Sequence, residues 1–151
     1  KDAQMNGIGV YSFFTEDERI LEYSGEFKDN IKEGCGQYIF PNGNIYTGHF
    51  KDDVRDGIGQ ILYANGDEYI GNFKNGKKNG NGIFKWNDGC MYYGDYKDNK
   101  MDGDGSCYNP SGILIYEGTW KSNQIHGFGT YIWSENKKYI GEFRNGKKHE
   151  L

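Results

Sequence analysis

Tyr69-Ile70-Gly71-Asn72-Phe73-Lys74-Asn75-Gly76-Lys77-Lys78-Asn79-Gly80-Asn81-Gly82 is the stretch that decides how this chain folds. It reads Tyr-x-Gly-x-aromatic-Lys, a polar run, then Gly-x-Gly, and it returns along almost the whole sequence. The opening tyrosines are Tyr23, Tyr46, Tyr69, Tyr92, Tyr116 and Tyr139, at steps of 23, 23, 23, 24 and 23 residues. The first glycine of each Gly-x-Gly follows at a constant offset, at Gly34, Gly57, Gly80, Gly103 and Gly127. A short fixed period marks an array of small units that bury their apolar faces on one another.

Outward from that stretch the register is nearly clean. Met5-Asn6-Gly7-Ile8-Gly9-Val10-Tyr11 fits the second half of a unit, so residues 1–14 read as a partial repeat and the chain as a piece of a longer array. A polar, acidic insertion, Thr15-Glu16-Asp17-Glu18-Arg19, is expected to loop out. One residue is added near Pro110-Ser111-Gly112, and Glu150 stands where a glycine is due. The whole of 1–151 is read as a single array.

Within a unit the apolar period is two, the strand period. Asn42-Gly43, Asn65-Gly66 and Asp88-Gly89 each separate two aromatic-rich runs. Such a dipeptide predicts a β-hairpin closed by a type I′ turn, which needs positive φ twice. The strands are expected to be about five to six residues long, with Lys51 to Asp56 a polar loop to the next hairpin. Alternation puts the lead tyrosine and the aromatic four residues on (Phe27, Phe50, Phe73, Tyr96, Trp120, Phe143) on one face. The other strand adds Tyr38, Ile61, Phe84, Cys107 and Tyr131, then Phe40, Tyr63, Trp86, Asn109 and Trp133. Gly25, Gly48, Gly71, Gly94, Gly118 and Gly141 fall between, and a mid-strand glycine marks a close approach. Rings from the neighbouring strand are the expected occupants. One hairpin buries too little to order itself, so adjacent hairpins must share rings.

Composition narrows the function classes. Aromatic residues are 17% of the chain, too rich for a solvated disordered segment, and the formal charge is −4, opposite in sign to that of a general nucleic-acid binder. Three well-separated cysteines are not the even, closely spaced set of a secreted disulfide framework. No stretch approaches the ~18 apolar residues of a membrane helix. A cytoplasmic protein is expected.

No helical period follows any Gly-x-Gly, so these are turn and packing devices rather than a dinucleotide fingerprint. The acids are scattered and select no catalytic pair, and no enzyme activity is expected. His126 and His149 hold the same place in successive units, roughly 10 Å apart by strand spacing, too far to share a zinc whose bonds are about 2 Å. They read as solvent- or partner-facing positions. The alternative is a zinc bridging a dimer, with Cys107, His126 or His149 among its ligands; Cys107 reads more simply as a small buried filler.

One surface feature stands out. Lys28, Lys51, Lys74, Lys97, Lys121 and Arg144 put a cation at the same position of every unit, and Lys77 and Lys78 add to one loop. The reading preferred here is a solvated edge, balanced by Asp29, Asp52 and Asp98, that discourages sheet-to-sheet pairing. Its alternative is a strip that meets anionic lipid headgroups, with Lys51, Lys74, Lys77, Lys78, Lys97, Lys121 and Arg144 as contacts.

These residues resemble the MORN repeat, Tyr-x-Gly-x-(Phe/Trp)-x-x-Gly-x-x-x-Gly-x-Gly, over essentially the whole chain. Departures are the scarce mid-loop glycine (present at Gly76 and Gly146), Cys107 and Asn109 in aromatic positions, and Glu150. The resemblance implies an all-β fold, an elongated twisted antiparallel sheet of tandem hairpins forming a solenoid-like rod. It also implies no catalysis by the repeats, and a scaffold or adaptor role in membrane-associated cytoskeletal assemblies, with self-association and, less generally, phosphoinositide binding. Open terminal strands suggest a two-fold homodimer through the C-terminal repeats, with Trp133, Tyr139 and Phe143 as interface candidates.

Overall fold

The computed structural model describes residues 4–14, 16–17 and 20–149, without the side chains of Phe13, Ile20, Leu21 and His149. It is all-β, with thirteen strands and no helix among the described residues. The chain divides into two compact units, Lys1–Lys77 and Lys78–Leu151. The first holds β1 (Gly7–Phe14), β2 (Ile20–Lys28), β3 (Ile31–Ile39), β4 (Ile45–Lys51), β5 (Val54–Leu62) and β6 (Glu68–Lys74). The second holds β7 (Lys77–Lys85, entered at its second residue), β8 (Met91–Lys97), β9 (Lys100–Tyr108), β10 (Leu114–Lys121), β11 (Gln124–Ser134), β12 (Lys137–Arg144) and β13 (Lys147–His149). Inside each unit the strands pair antiparallel in chain order. The tandem-hairpin expectation holds. Of the acidic insertion, Glu16 and Asp17 form a turn; Thr15, Glu18 and Arg19, like Glu150, lie outside the described residues.

The two kinds of turn are the reverse of what the sequence suggested. At Pro41-Asn42-Gly43 only the glycine has positive φ, at 91°. Gly43 N–H donates to Phe40 O (3.0 Å) and Phe40 N–H to Asn44 O (2.9 Å). This is a three-residue loop, a type I turn closed by a glycine bulge, and Pro41 supplies the fixed φ that its first central position favours. Ala64-Asn65-Gly66, Asn87-Asp88-Gly89 and Pro110-Ser111-Gly112 close in the same way.

The doubly positive φ pairs stand where a polar loop was expected. Asp52-Asp53 has φ of 48° and 69°, Asp98-Asn99 47° and 71°, and Ser122-Asn123 48° and 71°. Lys51 therefore pairs directly with Val54, and the strands are longer than expected, seven residues in β4 and nine in β5. Asp or Asn stands second in these turns because its side chain also ties repeat to repeat. Asp53 N–H donates to Lys32 O (3.0 Å), and Asp53 Oδ1 accepts from Lys32 N–H (2.7 Å). Asn99 and Asn123 accept likewise from Lys78 N–H and Met101 N–H.

The core is a file of edge-to-face rings. Tyr23 meets Phe27 of its own repeat at 4.9 Å and Phe50 of the next at 5.2 Å. Tyr46 does the same with Phe50 and Phe73, Tyr92 with Tyr96 and Trp120, and Tyr116 with Trp120 and Phe143. Edge-to-face contacts add about 0.5–1.5 kcal/mol each beyond the area they bury. Tyr46, Tyr69 and Tyr92 are wholly inaccessible. Burial also obliges each hydroxyl to find an acceptor. Tyr46 donates to His49 O (2.7 Å) and Tyr92 to Asp95 O (2.7 Å). That carbonyl is available because the register shifts there, between Gly48 and Phe50 and between Gly94 and Tyr96.

The mid-strand glycines do mark a close approach, but what fills it is the backbone of the paired strand and the hydroxyl of the tyrosine two residues before: a Cβ on Gly48 would stand 2.5 Å from Gly59 Cα and 2.8 Å from the Tyr46 hydroxyl. The ring itself lies over the paired strand's glycine, where a Cβ on Gly59 would fall within 2.6 Å of three Tyr46 atoms. The added residue of the fourth repeat leaves its turn unchanged; it is absorbed by a register shift between Leu114 and Tyr116.

Candidate binding surface

Antiparallel pairing across the type I′ turn sets a residue directly beside each core aromatic. In β2–β3 it is Lys32, opposite Phe27, and in β4–β5 it is Arg55, opposite Phe50. Both cations therefore lie on the aromatic face, over rings. Lys32 Nζ stands 5.7 Å from the Tyr23 centroid and 5.5 Å from Tyr38. The Arg55 guanidinium sits 5.5, 5.7 and 5.3 Å from the rings of Phe40, Tyr46 and Phe73. In the second unit Lys78 lies over Phe84 and Tyr96, and Lys148 over Trp133 and Tyr139. Met101 and Ile125 fill the same register beside Tyr96 and Trp120.

The two cations of the first unit differ in their electrostatics. Lys32 is balanced by Asp53 at 3.4 Å. Arg55 has no carboxylate among the described residues within ion-pair distance. Its Nη2 donates to Gly76 O at 2.6 Å. Burial pulls its pKa down, partly offset by the hydroxyls of Tyr46 and Tyr63, yet a guanidinium stays protonated in a protein. A groove of about 270 Å³ opens beside it, walled by Tyr38, Phe40, Phe50 and Val54 with Lys32 and Asp53 at its rim.

The ladder singled out from the sequence lies elsewhere. Lys28, Lys51, Lys74, Lys97, Lys121 and Arg144 are all exposed, and alternation puts them on the face opposite the core rings. Lys77 is exposed too, but Lys78 is half-buried on the aromatic face, and both stand in β7 rather than in a loop. Among the dimer candidates Phe143 is 4% exposed, packed against Tyr116 and Tyr139. Tyr139 is half-buried and donates to Glu142 O (3.0 Å). Trp133 presents its ring to solvent at 43% exposure.

Of the metal candidates, Cys107 and His126 have described side chains. Cys107 is half-buried and its thiol is pushed up to about 12, first by burial and then by Cys90. His126 Nδ1 accepts from Asn145 N–H at 3.2 Å, and the His149 side chain is outside the described residues. A pair the sequence did not suggest is Cys35 with His49, cross-strand partners with Sγ 3.8 Å from Nδ1. No group of three or more metal-ligating side chains forms among the described residues.

Arg55 and Lys32 carry no strand signal of their own, because the polar runs after Lys51 and Lys28 that hold them read as loops. The readable signal was the cation nine residues after the lead tyrosine, at Lys32, Arg55, Lys78 and Lys148.

Comparison with curated proteins returns no match. A family model described as the MORN repeat matches residues 1–17, 23–45, 46–68, 69–91, 92–113, 116–137 and 139–150. Every matched stretch after the first opens on a lead tyrosine of the ring file, and the chain belongs to the MORN-repeat family.

Proposed function

We propose that this chain is a non-catalytic scaffold whose aromatic face holds segments of other proteins. MORN repeats are a non-catalytic module engaged in protein–protein or membrane and lipid contacts. The observation that carries the protein-binding choice is the groove beside Arg55, where aromatic walls meet a cation without a counter-charge. Desolvated aromatic and arginine side chains are the groups that dominate protein interfaces. A selection of random displayed peptides on the immobilised chain tests this. Binders should emerge and be lost on Tyr38→Ala; binders indifferent to every aromatic-face substitution would refute it.

Self-association through the second unit belongs to the same proposal, with Trp133 the one of its three candidate rings that is open to solvent. So does a place in a cytoskeletal assembly at the inner face of a membrane. A second reading, weak lipid attachment, is favoured in each unit by three exposed cations on the face opposite its rings, at about 1 kcal/mol each near an anionic surface. Liposome flotation of a Lys74→Glu, Lys97→Glu double variant separates the two readings, since only lipid binding should fall.

A further inference from the structure

The fold does not require a charge at position 55. In the same register of the second unit, Met101 beside Tyr96 and Ile125 beside Trp120 are apolar, and those rings are as well buried as Phe50. Arg55 is thus a cation placed where an apolar side chain would serve the core, half-buried and unmatched by any described carboxylate. A guanidinium carries five N–H donors in a planar fork, and the protein bond seen here is the one to Gly76 O. Donors left facing a groove favour a planar anion, which they bind through paired charge-assisted hydrogen bonds.

We infer that the groove at Arg55 receives an acidic peptide segment: an aspartate or glutamate carboxylate on the guanidinium, with an apolar neighbour against Tyr38 and Phe40. This rests on the protein-binding reading above and names its partner. Two features favour a peptide carboxylate over a lipid phosphate. The lysine ladder that would meet a membrane is on the other face. Asp53, which lines the same groove 3.4 Å from Lys32, opposes the doubly charged phosphomonoester of a phosphoinositide more than a single carboxylate.

The probes are terminally blocked peptides synthesised from the displayed selection, measured by fluorescence anisotropy with the full chain at two salt concentrations. Selected sequences should carry Asp or Glu next to an apolar residue. Arg55→Gln should weaken binding at least about tenfold, as loss of charge-assisted hydrogen bonds implies, with Arg55→Lys between. Asp53→Asn keeps an oxygen for Lys32 N–H and removes the rim charge. It should tighten acidic peptides by about threefold. Arg55→Met, the residue of the second unit's register, is the variant to use if Arg55→Gln does not fold. Peptides without acidic residues, or equal affinity for wild type and Arg55→Met, would overturn the inference. So would phosphatidylserine vesicles that bind wild type and not Arg55→Met. Binders lost on Tyr38→Ala but indifferent to Arg55 would sink this inference and leave the scaffold reading standing; no binders at all would sink both.

Discussion

Gly105→Ala puts the ring file under direct strain. A Cβ there would stand within 2.6 Å of three atoms of Tyr92, which is wholly inaccessible to solvent. The ring must tilt, and its hydroxyl must loosen its 2.7 Å bond to Asp95 O. Overpacking costs about 1–3 kcal/mol and the hydrogen bond about 1 kcal/mol, less about 0.5 kcal/mol for the stiffer unfolded chain. A net loss of about 1.5–3.5 kcal/mol is expected. The reporter is adjacent, since Trp120 Nε1 donates to Gly105 O (3.2 Å) and its ring lies 5.2 Å from Tyr92. Urea unfolding followed by tryptophan fluorescence reads the loss. Gly112→Ala is the control. Its Cβ meets nothing within 4 Å, so only the strain of φ +81° remains, about 1–2 kcal/mol. Tyr92→Leu should make Gly105→Ala cheaper by at least about 1 kcal/mol in a double-mutant cycle. A Gly105→Ala loss below about 0.5 kcal/mol, uncoupled from Tyr92, would refute the ring-over-glycine packing.

Burial pushes Tyr23, Tyr46 and Tyr116 up to about 12, against an ordinary value near 10. The unfolded chain ionises first, so the stability these rings contribute is fully present below about pH 10 and is lost as pH rises toward 12. Absorbance at 295 nm should show a late-titrating class that appears together with loss of the strand signal in circular dichroism. Ionisation of all 13 tyrosines near the ordinary value, with the sheet intact, is the contrary result. Ser122 opens a type I′ turn at φ 48°; Ser122→Asn should raise stability by about 0.5 kcal/mol in the same urea titration, and a loss would show that the turn is misassigned. Trp133→Ala should lower the association constant in sedimentation equilibrium if the second unit self-associates, and should leave it unchanged if another surface does.

The repeat and the ring faces were legible because the lead tyrosine and its aromatic recur in fixed register, and strand alternation needs no tertiary information. The turns were not. Asn42-Gly43 carries the usual signal of a two-residue hairpin, yet the residue ahead of it, Pro41 here and Ala64 or Asn87 in the equivalent loops, joins the turn and makes the loop one residue longer. Asp52-Asp53 lacks the signal because its second carboxylate holds an amide of the preceding repeat, a long-range demand that no local pattern reveals. That single reversal hid Arg55. Once Lys51 pairs with Val54, Arg55 must stand beside Phe50, and the cations that touch rings are those after the turn, not the exposed ladder before it. The occupant of the glycine gaps was hidden for a related reason: which way a tyrosine leans along its strand is set by the register shift that frees the carbonyl it bonds.

The account turns on the aromatic face, not the lysine-bearing one, being where a partner lies. Isotope-filtered nuclear Overhauser effects between an unlabelled selected peptide and the labelled chain test it most directly. The account predicts contacts from the peptide to the rings of Tyr38 and Phe40 and to the Arg55 side chain, which line one groove. Contacts to Thr47, Ile58 and Lys51 on the opposite face, with none to those rings, would contradict it.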